Sequence, residues 1–273
     1  MDKSVISANF ITYQCLFLDY PLEASIRSCM DLCEDAYIND GGSNDGTLDV
    51  LYHLQSEYGT DRIKIFERRW VHDRGFWARE RNFNIDKMPK TNYVLNIAAD
   101  ECIHENDIAR IKECVSKLHG RALRFIPIHF YGLPKYIIYG PHWAKILSKL
   151  WQVGTGARYY NIPGGCADDP LWPNRTSVHF NNCYVTNIPV YHYGHCRDPK
   201  AVAMKNEKAH SLYRGENSYH DGSFPTITYF DYELEKYMSQ NSIDKVVLFQ
   251  GTHPKYMEEW CERHKDQKLS YGL

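Results

Sequence analysis

Much of what would classify this chain at a glance is missing from it. No run of about 18 apolar residues occurs, which excludes a membrane-spanning helix. The first residues, MDKSVISANFITYQ, lack the long apolar stretch of a secretory signal and read as a strand that starts almost at once. Neither GxxxxGK[ST] nor GxGxxG is present, so a phosphate-bearing ligand would have to be held by something other than a glycine cradle. Charge of one sign is also lacking. Lys and Arg number 32 against 34 Asp and Glu, a net of −2, which excludes a generic polyanion binder. The nine cysteines are odd in number and show no disulfide spacing, so free thiols in a reducing, cytoplasmic setting are expected. Asn174 opens a glycosylation sequon, which is read as chance in that setting. No Pro/Gly/Ser linker, repeat or low-complexity tract divides the 273 residues, and one continuous domain is expected.

What the chain does have is a 43% hydrophobic content, enough for a sizeable core, and 14% aromatics with 21 Tyr and 6 Trp. Those aromatics suit a tyrosine-rich core and surface, and also the flat faces that carbohydrate sites use. Val5 to Ile11 reads as a strand. Leu22, Ile26, Met30 and Cys33 recur at helical spacing behind Pro21. AYIN, RIKIF and NYVLNIA read as further strands. Helices are expected over Asp45 to Tyr58, over Phe76 to Ile85, and around Ile108, Ile111 and Val115. This alternation through the first 120 residues predicts a parallel sheet covered on both faces, with ligands beyond the carboxyl ends of its strands. After it come strands of mixed spacing (RALRFIPIHFYG, KYIIYG, SVHFNNCYV, IPVYHYG), a Lys- and His-rich helix from Asp198 to Tyr213, the strand KVVLF, and a closing helix in GTHPKYMEEWCERH.

Two acidic loops fall on the same sheet edge. In YINDGGSNDGTLDVL a strand ends at Asp40, Gly41 and Gly42 allow close backbone approach, and Asp45 is placed to cap the next helix. Alone, the stretch reads equally well as a capped turn or a ligand loop. In NYVLNIAADECIHE a strand empties into Asp100 and Glu101. Paired acids there can hold a divalent cation, and the cation a diphosphate.

These segments resemble a known family. INDGGSNDGTLDVL is similar to the VDGGSTDGT signature of family-2-like glycosyltransferases with the GT-A fold, and VLNIAADECI is similar to the strand and DADE loop carrying their metal-binding DxD. ARERNFNI resembles the ARN helix between them. Tyr191 to Tyr213, with its HYG and RDP, resembles the tail of one subgroup, and YHDGSF and GTHP fit the same subgroup. The resemblance implies an α/β fold of GT-A type: a Rossmann-like mixed sheet flanked by helices, with a nucleotide-sugar-binding half over 1–120 and an acceptor-binding half over 121–273. It implies metal-assisted sugar transfer, with inversion, from a nucleotide-diphosphate donor to an acceptor hydroxyl. Asp40, Gly41, Arg79, Arg81 and Asp100 would bind the donor. By position, Arg79 and Arg81, and Arg197 and Lys205 from the C-terminal segment, could pair with phosphate, each also reading as a solvated surface charge. Asp100, His192 and Glu101 would hold Mn2+ or Mg2+, a neutral imidazole suiting Mn2+ better. His192 reads equally as a satisfied core histidine. The catalytic base would be Asp169 or Asp168 in GGCADDPLW, with Asp221 a weaker candidate. The departure is Ala98, which stands where the family places the first DxD acid.

One feature lies outside the resemblance. From Cys114 to Ala167 there is no Asp or Glu, while Lys145, Lys149 and Arg158 stand there among Trp143 and Trp151. This block reads as an ordinary acceptor side, or as the seat of an anionic acceptor: a phosphorylated glycan, a lipid phosphate, or the hydroxylated bases of modified DNA. Other classes remain in view. Ala98 favours a non-catalytic nucleotide-sugar or glycan binder on the same fold. Cys183, His192, His195 and Cys196 suggest a zinc module, though adjacent His-Cys is poor tetrahedral spacing. A nucleotidyltransferase would bring a basic, Gly-rich loop near the N-terminus, and none is seen there.

Overall fold

The structure is a computed structural model, which describes residues 4–73, 75–118, 122–143, 146–160, 170–171, 183–205 and 244–267, with 183–185 described as backbone. Strands and helices alternate through the first part: β1 (Ile6–Thr12), α1 (Leu22–Met30), β2 (Asp35–Asp40), α2 (Thr47–Tyr58), β3 (Ile63–Glu67), α3 (Phe76–Lys87), β4 (Tyr93–Asn96), the short β5 (Glu101–Cys102) and α4 (Ile108–Ser116). β1 pairs in parallel with β2 on one side and β4 on the other, and β2 pairs in parallel with β3. The second part adds β6 (Ala122–Tyr131), β7 (Leu133–Tyr139), β8 (Leu147–Gln152), β9 (Cys183–His195) and β10 (Lys245–Leu248) to the same sheet. β8 runs antiparallel to β4 and joins the two parts, and β9 runs parallel to β6 while gripping β5. The parallel strands of the first part are those expected from the alternation, and the mixed sheet flanked by helices is the α/β architecture that the resemblance implied.

Strand alternation sends side chains to two layers. Phe10, Ile38 and Leu95 point to one face, where they pack with Ile26 of α1, Leu51 and Leu54 of α2, and Ile111 of α4. Tyr37 and Val94 point to the other, with Ile85 of α3 and Trp151 of β8. Helix α3 is docked differently from the rest. Its buried residues include Glu80 and Asn84 as well as Phe76 and Ile85. Asn84 Nδ2 lies 2.8 Å from Asn9 Oδ1 and 2.7 Å from the Phe10 carbonyl, stitching α3 to β1. Glu80 accepts from Arg68 and Arg79, each at 3.0 Å, and from Asn39 of β2 at 3.1 Å.

Boundaries moved by a residue or two where turn chemistry took over. Helix α2 starts at Thr47, with Gly46 left-handed at φ 93 as its cap residue, so Asp45 is not the cap. Its carboxylate instead accepts from the amides of Thr47 and Phe17, tying the β1 loop to the helix start. CYV and IPVYHYG form one strand, β9. Asn84→Ala should lower stability by about 1–3 kcal/mol in urea denaturation, because the buried groups it serves lose their partner. A change within 0.5 kcal/mol would show that α3 is held by its apolar residues instead.

Candidate functional site

The parallel strands deliver the two acidic loops side by side. Thr12 at the end of β1 is in register with Asp40 at the end of β2, and β4, on the other side of β1, ends just before the loop of Asp100. Asp40 is fully buried and its carboxylate is saturated. The amides of Gly42 and Ser43 donate to one oxygen at 2.9 and 2.7 Å, and the hydroxyls of Thr12 and Ser43 to the other at 2.9 and 2.7 Å. Four donors use its lone pairs, so Asp40 shapes the loop from beneath. Gly41 is required by packing: a Cβ there would stand 2.6 Å from the Trp70 ring. Trp70, Tyr13, His72, Phe76 and Trp77 form an aromatic wall beside this loop. Neither Trp70 nor His72 was singled out from the sequence, since an isolated aromatic in a loop carries no periodicity.

The second loop is closed on itself. The Ala98 amide donates to Glu101 Oε2 at 2.8 Å, and Ser25 of α1 donates to the carbonyls of Ala98 and Glu101. Both Glu101 oxygens also accept from the buried Lys149 ammonium at 2.6 Å. Asp100, 3% exposed, faces Lys205 at 3.3 Å and His192 at 3.7 Å. Burial by itself would raise the Asp100 carboxyl, but surrounding charge, Lys205 foremost, holds it well below the usual carboxylate range. Burial pushes His192 down to about 3 against the opposing charge of Asp100, so the ring is neutral at pH 7. Its Nδ1 lies 2.9 Å from His129 Nδ1. His195 is pushed well down by burial too, and the Trp143 ring stands edge-on to both His129 and His195.

The HYG and RDP segments have a structural logic. Gly194 is where His192 and Asp100 close in, since a Cβ would meet them at 2.6 and 2.8 Å. Arg197 is fully buried and donates to the carbonyls of Gly194 and Leu18. Asp198 caps the helix that runs over 199–205, accepting from the amides of Lys200 and Ala201, with Pro199 in the first helical position. That helix carries Lys205 to Asp100.

Several residues singled out from the sequence are occupied elsewhere. Arg79 is tied to Asp73, Glu80 and the Val71 carbonyl. The Arg81 guanidinium stacks over the Tyr159 ring. Lys149 and Trp151, expected on the acceptor side, are interior, Trp151 in the core and Lys149 on Glu101. Arg158 pairs with Asp86 at 2.8 Å. Asp168, Asp169, Asp221 and Lys145 lie outside the described residues. As arranged, the expected metal ligands do not fit a divalent cation. Ala98 brings no oxygen, Glu101 is engaged on both oxygens, Asp100 already faces an ammonium group, and no group of three or more His, Cys, Asp or Glu among the described residues could hold a metal. The expectation of Mn2+ or Mg2+ at Asp100, Glu101 and His192 meets this local charge balance.

A solved structure shares this arrangement of elements. Over 80% of its length the chain superimposes on S. aureus TarS with a TM-score of 0.50 at 13% identity, and it spans 40% of that protein. The fold is that of the GT-A glycosyltransferases. A TarS 1-349 structure in complex with UDP-GlcNAc matches at TM-score 0.49 and 13% identity, covering 69% of this chain and 58% of that one. GalNAc-T7 with UDP, GalNAc and Mn2+ overlaps 47% of this chain and 23% of its own at TM-score 0.34 and 13% identity. No family model matches the sequence, and no curated protein matches it either. At this identity the likeness speaks to the GT-A fold alone. Among the described residues no helix is long and apolar enough to cross a membrane.

Desolvation of the neutral His192 ring sets a pH dependence. The unfolded chain binds a proton there below about 6.5, while the folded chain resists until about 3. Its contribution is therefore complete above pH ~6.5 and falls on acidification, by up to about 1.4 kcal/mol per pH unit. Urea denaturation at pH 7, 6 and 5 should show this loss, and His192→Gln should remove that share of the slope. Equal stability at pH 7 and 5 would contradict a desolvated, neutral His192.

Proposed function

We propose that the chain is a glycosyltransferase that moves a sugar from a nucleotide-diphosphate donor to an acceptor hydroxyl. The observation that carries this reading is the convergence of the saturated Asp40 turn and the Asp100 loop on one carboxyl edge of a GT-A sheet, where α/β folds bind their ligands. The aromatic wall of Tyr13, Trp70 and His72 suits a nucleoside, and the basic groups around Asp100 suit its diphosphate. In the reaction the acceptor oxygen bonds to the anomeric carbon as the bond from that carbon to the diphosphate oxygen breaks. The leaving diphosphate takes the electron pair and gains one negative charge, and the hydroxyl proton goes to a carboxylate base, assigned to Asp169 or Asp168. Transfer with inversion, membership of the HYG/RDP subgroup and a cytoplasmic setting belong to the same proposal.

The acceptor reading narrows. An anionic acceptor was inferred from the acid-free block, yet Lys149 and Arg158 within it are neutralised by Glu101 and Asp86. The modified-DNA version, which drew on Lys145, Lys149 and Arg158 together, thereby loses two of its three cations, while a phosphorylated glycan or lipid phosphate stays in the proposal.

A panel of UDP-, GDP- and CDP-linked sugars should reveal one donor that the chain hydrolyses slowly without acceptor. Asp169→Asn and Asp168→Asn should separate the base from its neighbour, one of them lowering turnover about 100-fold or more while donor affinity is unchanged. Donor binding without any turnover, equal in wild type and both variants, would favour the non-catalytic binder.

A further inference from the structure

We propose that Lys205 is the cation that receives the donor diphosphate, in the place where the GT-A resemblance implies a divalent metal. This rests on the glycosyltransferase reading and concerns how that site handles charge. Three observations meet here. First, the acid that would complete a metal pair is Ala98, and Glu101 is spent on Lys149 and on the Ala98 amide. Second, the Lys205 ammonium stands 3.3 Å from Asp100 Oδ2, so a divalent cation placed on Asp100 would face a like charge at close range. Third, the two partners are not equally buried. The Asp100 side chain is 4% exposed and that of Lys205 is 32% exposed. The carboxylate holds the ammonium while part of the Lys205 side chain stays exposed.

The wider charge pattern agrees. Arg197 and Lys205 stand close to Asp100, and Lys149 is on Glu101. Cations already placed on both carboxylates suit a diphosphate and disfavour a metal ion. The position of Lys205 is built: Asp198 caps the helix that bears it, Arg197 holds the turn before that helix, and the Tyr20 ring lies beneath both cations at 4.2 and 5.3 Å. The diphosphate gains one unit of negative charge as the glycosidic bond to it breaks. A fixed ammonium there would stabilise the departing group more than the bound donor.

Calorimetric titration of the full chain with UDP, UMP, GDP and GMP, each in EDTA and again in Mn2+, tests this. The expected result is that one diphosphate binds more tightly than its monophosphate, with the same affinity in EDTA and Mn2+ within about threefold. Lys205→Gln and Lys205→Ala should each weaken that diphosphate about ten- to 100-fold in EDTA, the loss of one charge-assisted contact. Monophosphate affinity should be unchanged, and Lys205→Arg should keep most of the diphosphate affinity. Circular dichroism melts of the variants confirm folding. Diphosphate binding that needs Mn2+, or that the folded Lys205→Gln variant retains in full, overturns the role of Lys205 and leaves the glycosyltransferase reading standing. Binding of no nucleotide in either buffer overturns both.

Discussion

The parallel pairing of β1 with β2 and β4 is the constraint from which the site follows. Parallel strands in neighbouring positions end at the same edge, so a loop after β2 and a loop after β4 must open side by side. The register from Ser7 opposite Asp35 to Thr12 opposite Asp40 brings the Thr12 hydroxyl within hydrogen-bonding reach of the Asp40 carboxylate. From there the turn through Gly42 and Ser43 closes over the same carboxylate. The acid that looked like a ligand contact is the post around which a ligand loop is wound.

Charge in this molecule is balanced across long sequence separations. Lys149 finds Glu101, Arg158 finds Asp86 and Lys205 finds Asp100. Arg158–Asp86 lies at the surface. The buried pair Lys149–Glu101 adds little net stability compared with an apolar pair, but removing one partner leaves a costly isolated charge. Such pairs specify geometry. Lys149–Glu101 fixes the loop that presents Asp100, and Lys205–Asp100 fixes the C-terminal segment over that loop. Within the stretch that lacks acids, from Cys114 to Ala167, Lys149 and Arg158 are therefore matched by acids from β5 and α3.

The helices and strands of the first part were legible because their apolar periodicities differ and their turns carry Gly and Asp. Leu51 and Leu54, for example, mark the buried side of α2 directly. Helix α3 was found by its length and position, but not the manner of its docking. Its inner face carries Glu80 and Asn84, and a polar residue read in isolation gives no sign that it is buried. The long β9 was split in reading by its Pro and Asn residues, and only its partners β6 and β5 make it one strand.

Local chemistry determined the order of elements and the turn through Gly42 and Ser43 over Asp40. Those features depend on residues within a few positions of each other, and sequence spacing reports them. Tertiary structure decided which acids were free to act. Asp40 was saturated by its own loop, Glu101 was taken by Lys149 from a strand 48 residues away, and Asp100 met Lys205 across 105 residues. Such pairings arise when sheet order brings distant segments together, and no local pattern encodes them. That is why a stretch resembling a metal-binding loop ends, in the folded chain, beside a lysine.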